Sequence, residues 1–293
     1  MNYQQFIITL KERVSLLLCE DVTIQTHTTL KNNGHERIGL TISDKNIHIS
    51  PTIYLEEYFK QFTEGYSMEY IAQNIYDLYQ EVKYNHVWNV HTIKDFSVIQ
   101  SKIVYKVIHA EKNKTLLQNM PHTLYLDFAI VFYVLFEADE SGTATIPITN
   151  ELLHLWNTTT ETLQKIAFVN TPHLLSADFN SMQTVINKIL GITPSPEDQM
   201  DDIMFVLTNS FRTFGAACIL YKGLLESIGN QIGENYYILP SSIHEVIIVP
   251  ESQSPTREYL REMVIEINET QVEQEDFLSD SIYYYDGKIL LQL

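Results

Sequence analysis

Pro240-Ser241-Ser242-Ile243-His244-Glu245 lies between two apolar runs and brings two hydroxyls, an imidazole and a carboxylate into six positions. These are the residue types of a nucleophilic hydrolase: a hydroxyl to attack, an imidazole to take its proton, a carboxylate to orient the imidazole. The spacing argues against that chemistry. In an extended segment His244 and Glu245 face opposite ways, and Ser242 and His244 share a face with their Cβ atoms ~7 Å apart. Neither serine has the neighbouring glycines of a strand-to-helix nucleophile elbow. The stretch therefore reads as a bend. Pro240 closes one strand, the serines hydrogen-bond the turn, and Glu245 opens the next strand, in which Ile247 is expected in the core. An enzymatic site, if there is one, is expected to gather Asn170, His173, Asn209, Arg212, Ser242, His244 and Glu245.

Other constellations are weaker. His122 and His173 each follow a proline, and with His244 they would make a metal site only if the fold brought all three together. No HExxH spacing supports that. His27, His35 and His48 read as surface residues of an N-terminal hairpin. The acidic runs 198–202 and 273–276 lack the alternating ligands and central glycine of a calcium loop. Neither GxGxxG nor GxxxxGK[ST] occurs. The expectation is no cofactor and no bound metal.

The 293 residues carry 19 Lys+Arg against 37 Asp+Glu, a formal charge of −18. A field of that sign repels phosphate backbones and anionic membrane surfaces, so neither nucleic acid nor membrane is an expected partner. The N-terminus lacks the basic stretch and long apolar core of a signal peptide. Cys19 and Cys218 each sit among apolar neighbours and read as free thiols. These features together predict a cytoplasmic protein.

The elements that must position these residues follow from periodicity and turn chemistry. Phe6, Leu10, Val14, Leu17 and Leu18 mark a helix over 2–20. Two β-rich runs about Asn32-Asn33-Gly34 predict a hairpin, which 46–50 extends or follows as a third strand. Ser50 and Pro51 predict a helix start, Gly65 its end, and 67–84 a further helix. A strand is expected over 102–109. From Phe128 a run of aliphatic and aromatic residues predicts a strand buried on both faces, and Pro147 makes its return strand an edge. Helices are expected over 150–156, 159–170 (opened by Thr158) and 178–190, with a linker at 193–199. Residues 203–221 read as two strands about Asn209-Ser210. An amphipathic helix follows with Leu224, Leu225, Ile228 and Ile232, then the two strands of the opening motif. A helix capped by Ser254 and a hairpin about Asp286-Gly287 close the chain. Hairpins outnumber strand–helix–strand crossovers, so the expected class is α+β, a largely antiparallel sheet with interleaved helices. Two lobes are expected, 1–95 and 96–293.

The phrases SPTIYLEEYFKQFTEGYSMEYIAQNIYDLY, LDFAIVFYVLFE, FGAACILYKGLLESIG and NYYILPSSIHEVIIVP resemble the hallmark segments of an uncharacterised family, a domain of unknown function, from clostridial Firmicutes. The likeness runs over most of the chain. The order of the later segments is similar in pattern to a second uncharacterised, Bacillus-type family. The resemblance implies a soluble bacterial protein and carries over no catalytic residue. The leading functional reading is a protein that acts by binding a protein partner or by homo-oligomeric assembly. Two alternatives stand beside it: a hydrolase or other enzyme with a site near Ser242 and His244, and an acidic immunity-type protein that neutralises a basic partner.

Overall fold

The computed structural model describes residues 1–18, 21–44, 52–85, 90–139, 142–192 and 203–293. Cys19, His48, Ser50, Pro51, the strand expected at 46–50 and the acidic run 198–202 lie outside them. The chain divides into two compact units, Met1–Lys31 with His35–Val98, and Asn32–Gly34 with Ile99–Leu293. The fold class is α+β, with three antiparallel sheets and interleaved helices.

In the first unit α1 (Tyr3–Leu17) opens with a reciprocal cap: Asn2 accepts from the Gln5 N–H, and the Gln5 side chain accepts from the Asn2 N–H. Its apolar stripe buries Phe6, Ile7, Leu10 and Val14, whereas Leu17 is exposed. Strands β1 (Val22–Leu30), β2 (Glu36–Asp44) and β3 (Thr52–Tyr54) form a sheet in that order. His27 faces Gly39 across the β1–β2 ladder. Helices α2 (Glu56–Thr63) and α3 (Met68–Asn85) follow, then the short α4 (Val90–Lys94) and α5 (Phe96–Ile99). The helix expected from Ser50 thus begins later, because Thr52–Tyr54 is spent on pairing: Ile53 is buried opposite Leu40. Glu56 then anchors the helix start, accepting from the Tyr3 hydroxyl (2.8 Å) and the Ile38 N–H (2.7 Å).

The second unit is built first around β6 (Phe128–Asp139). β4 (Ile103–His109) pairs along one side of it; β5 (His122–Tyr125) and then β7 (Gly142–Pro147) pair along the other. Phe128 through Leu135 are all buried, as the uninterrupted apolar run predicts. β7 pairs with β6 alone, which leaves Pro147 on an edge where a missing N–H costs nothing. The small helix α6 (Lys114–Leu117) precedes β5, while α7 (Asn150–Leu155) and α8 (Thr160–Leu174) follow β7. The cap of α8 is Thr159, one residue after the expected Thr158, and its hydroxyl accepts from the Thr162 N–H.

The remaining chain makes a six-stranded sheet in the order β13-β12-β10-β11-β9-β8. Its elements are β8 (Ala177–Ser181), α9 (Met182–Leu190), β9 (Phe205–Asn209), α10 (Leu224–Ile232), β10 (Tyr236–Pro240), β11 (Val246–Pro250), α11 (Arg257–Thr270), β12 (Tyr283–Tyr285) and β13 (Leu290–Gln292). The helix expected over 178–190 splits. Its first turn is strand β8, with Phe179 opposite Leu207 and stacked on Phe205 at 5.1 Å. Gly191, at φ 67, ends α9 as expected. The cap of α11 is Thr256 instead of Ser254. In β11 it is Ile248 that is fully buried, with Ile247 half-buried. Among the described residues no helix is long and apolar enough to cross a membrane.

The second strand expected within 203–221 is a 3₁₀ turn, Gly215–Leu220. Packing decides this. A Cβ on residue 215 would stand 2.5 Å from the His244 carbonyl oxygen and 2.7 Å from the Asn209 nitrogen. Only glycine lets the chain cross there, and the turn then seats Ala216, Ala217 and Cys218 in the core. Gly215→Ala is expected to cost about 1–3 kcal/mol by overpacking. Urea melts are expected to show a lowered midpoint with an unchanged slope.

Candidate functional site

Strand β4 is the foundation. Alternation puts Val104, Lys106 and Ile108 on one face, and both apolar members are buried. Lys106 therefore interrupts an apolar row. Its ammonium lies 4.3 Å from the ring centre of Tyr133 on β6 and 4.2 Å from that of Phe214.

Phe214 is delivered by the loop after β9. The buried Asn209 side chain organises this loop by accepting from the Phe211 N–H (3.0 Å) and donating to the Thr213 carbonyl (2.7 Å). The loop is strained: Arg212 (φ 52) and Phe214 (φ 58) both occupy the left-handed region, costly for side chains of this size. The strain aims the Phe214 ring between two others. It stacks on His244 at 5.7 Å and on Tyr133 at 6.3 Å.

His244 sits in the bend between β10 and β11. The Ser242 N–H donates to the Glu245 carbonyl (3.2 Å), and the Ser242 hydroxyl oxygen accepts from the His244 N–H (3.0 Å). The imidazole is engaged at both nitrogens. Nδ1 lies 3.2 Å from the Phe214 N–H and accepts from it, so the proton resides on Nε2 and points at Asp276 Oδ1, 3.1 Å away. Backbone ties brace the same residues: Ile243 N–H to the Asp276 carbonyl (2.8 Å) and Thr208 hydroxyl to the His244 carbonyl (2.8 Å).

The candidates named from sequence separate into two groups. Asn209, Ser242 and His244 meet around Phe214, and half-buried Glu245 contributes its carbonyl to the bend. Arg212 is exposed on the strained loop. Asn170 and His173 lie on α8. The Asn170 amide donates to the Gln100 and Ile103 carbonyls at the start of β4, and His173 is exposed. His122 turns its Nδ1 to the Met120 carbonyl, 2.9 Å away. Among the described residues no group of three or more His, Cys, Asp or Glu is placed to hold a metal ion. Sequence reasoning missed Lys106, Tyr133, Phe214 and Asp276. The available signal was a single lysine in the apolar row of β4.

Burial sets the electrostatics. It pushes the Lys106 ammonium down to about 8, against the pull of the Asp276 and Glu275 carboxylates. It pushes the Cys218 thiol up to about 12, which removes that residue as a nucleophile at neutral pH. A cavity of ≈ 10 Å³ lies against Lys106, Tyr133, Phe214, Thr143 and Thr145, room for about one water.

The Lys106 shift makes a prediction. A lysine depressed in the folded state costs stability wherever it is charged in both states, below pH about 8. As pH rises from there towards the unfolded value of about 10.4, the folded state releases the proton first and the cost fades. Lys106→Met is therefore expected to raise the urea midpoint at pH 7. Its advantage over the parent chain is expected to shrink steadily towards pH 10.

No curated protein and no solved structure matches the chain. The model of one family, described as a family of unknown function (DUF5688), matches residues 3–287. A match of that extent takes in β4, the strained loop, the bend and Asp276 alike, and the chain belongs to the DUF5688 family.

Proposed function

We propose that the protein acts in a cytoplasm by binding a protein partner or a second copy of itself, and that Ser242, His244 and Glu245 hold a bend instead of forming a hydrolase site. One observation carries this reading: both ring nitrogens of His244 are committed. A general base needs a lone pair aimed at the hydroxyl it deprotonates. The Nδ1 lone pair takes the Phe214 N–H, and Nε2 faces Asp276. The Ser242 oxygen meanwhile accepts from the backbone of His244. The charge of −18 supports a partner other than nucleic acid.

A second reading, a basic partner, draws on α11. Glu258, Glu262, Glu266 and Glu269 are all exposed and follow one another at helical spacing. Complex formation with such a partner is expected to weaken steeply as salt rises.

The test of the bend is chemical. A fluorophosphonate probe labels an activated serine covalently, and no labelling is expected at Ser241 or Ser242. Stoichiometric labelling at either serine, abolished by His244→Ala, overturns the reading and installs the hydrolase. Ser242→Ala is expected to remove one turn hydrogen bond, about 0.5–1.5 kcal/mol in a denaturant melt. Affinity purification from the native host with mass spectrometry identifies the partner.

A further inference from the structure

We propose that the free edge of β8, together with the apolar side of α9, is the surface through which two copies of this chain form a two-fold dimer. The inference rests on the binding reading above and names a second copy as the partner. β8 ends its six-stranded sheet, and among the described residues no strand pairs with its outer side. The backbone bonds to β9 fix which groups face outward. The Ser210 N–H donates to the Ser176 carbonyl (2.8 Å), and the Met182 N–H to that of Met204 (2.9 Å). Even-numbered residues therefore bond β9, and Ala177, Phe179 and Ser181 turn their N–H groups to the open side. None of the five residues Ala177–Ser181 is a proline or a lysine, the residues that commonly block an exposed edge.

The residues of β8 suit a copy of themselves. A two-fold axis at Phe179 sets that residue opposite its own copy, each donating its N–H to the other's carbonyl. Each Ser181 N–H then reaches the Ala177 carbonyl of the second copy. The same register puts Asp178 opposite Asn180 on both sides of the axis, a carboxylate against an amide donor. An axis at Asp178 would oppose two carboxylates and meet backbone groups already bonded to β9. Phe179 and Phe205, stacked at 5.1 Å, are both half-buried, which leaves aromatic surface beside the seam.

A strand edge this short buries too little area for a stable dimer by itself, and α9 supplies the remainder. The helix begins at Met182, directly after β8. Its buried residue is a polar one: Asn187 is 4% exposed, and its Oδ1 accepts from the Gln183 amide at 3.0 Å. The apolar side is left in solvent, with Ile186, Ile189 (71% exposed) and Leu190 (63% exposed) at helical spacing. In the dimer the two copies of α9 flank the axis and cover each other's apolar side. A two-fold seam occupies the β8 edge of both chains at once, so growth through this edge stops at two.

The experiment measures the mass of the intact chain by sedimentation equilibrium at micromolar concentration, then joins the copies chemically. The expected mass is that of two chains. Phe179→Cys stands on the axis, where the Cα atoms of a bonded pair lie about 5.5 Å apart, within disulfide reach. Under mild oxidation it is expected to cross-link two chains about tenfold faster than Ser176→Cys, whose copies stand on the order of 20 Å apart along the antiparallel strands. Ile189→Glu changes an exposed site. It is expected to leave the circular dichroism unchanged and to weaken the dimer about tenfold, or 1.4 kcal/mol. A monomeric parent chain, a Phe179→Cys cross-link no faster than that of Ser176→Cys, or an undiminished dimer in Ile189→Glu overturns the proposal. Each of these leaves the binding of a different protein standing, a reading that only serine labelling by the fluorophosphonate probe removes.

Discussion

Three stretches of backbone meet at Gly215, and there is no room between them for a side chain. Residue 215 passes the His244 carbonyl and the Asn209 nitrogen so closely that even a methyl group collides. The approach lets the Thr208 hydroxyl reach the His244 carbonyl, and it lets the Ala216 N–H reach that of Ile243. Strand β9, the strained loop and the β10–β11 bend are thereby locked in one arrangement. The ring positions follow from it. Phe214 meets His244 because the loop and the bend cannot drift apart, and Lys106 meets Phe214 because the ring has been aimed towards β4. A tight steric crossing thus determines the polar geometry, while the hydrogen bonds record it.

Burial then decides the behaviour of the ionisable groups. The chain has 18 tyrosines, and several put the ring in the core while the hydroxyl finds a carbonyl or carboxylate. Tyr221 donates to the Leu175 carbonyl (2.6 Å), Tyr236 to that of Leu225 (2.8 Å), and Tyr283 to Asp127 (2.5 Å). Burial raises the pKa of each of the three hydroxyls. Groups raised on folding lend stability below their unfolded value of about 10 and withdraw it as pH climbs further. Lys106 runs the opposite way, with its cost greatest below pH about 8. The two contributions leave a mildly alkaline window in which the lysine is relieved and the tyrosines remain protonated.

Elements defined by their own residues were readable in advance. The apolar run of β6, the Asp286-Gly287 hairpin and α10 each carry a local period or a turn pair. Elements defined by a partner were not. Thr52–Tyr54 and Ala177–Ser181 become strands because β2 and β9 offer free edges, and no residue within either segment announces that edge. The 203–221 segment has strand-like composition, yet its second half is a 3₁₀ turn because the Gly-Ala-Ala sequence fits the crossing. The site divides along the same line. Ser242 and His244 are neighbours in sequence, and the bend could be argued from spacing. Lys106, Phe214 and Asp276 lie far apart along the chain, and no short-range pattern joins them.

Cys218 has a use that follows from its seat behind the same crossing. Its thiol donates to the Thr208 carbonyl at 3.1 Å, and burial holds it near 12. Peroxides and disulfide reagents are attacked by the thiolate, which at neutral pH is about one molecule in 10⁵ for such a group. The folded thiol is thus effectively silent towards them. Reaction at Cys218 requires β9 and the 3₁₀ turn to part first, so its rate counts openings of this part of the second unit. The residue is a native stopwatch for local unfolding, already installed at the place where three strands of backbone are pressed together.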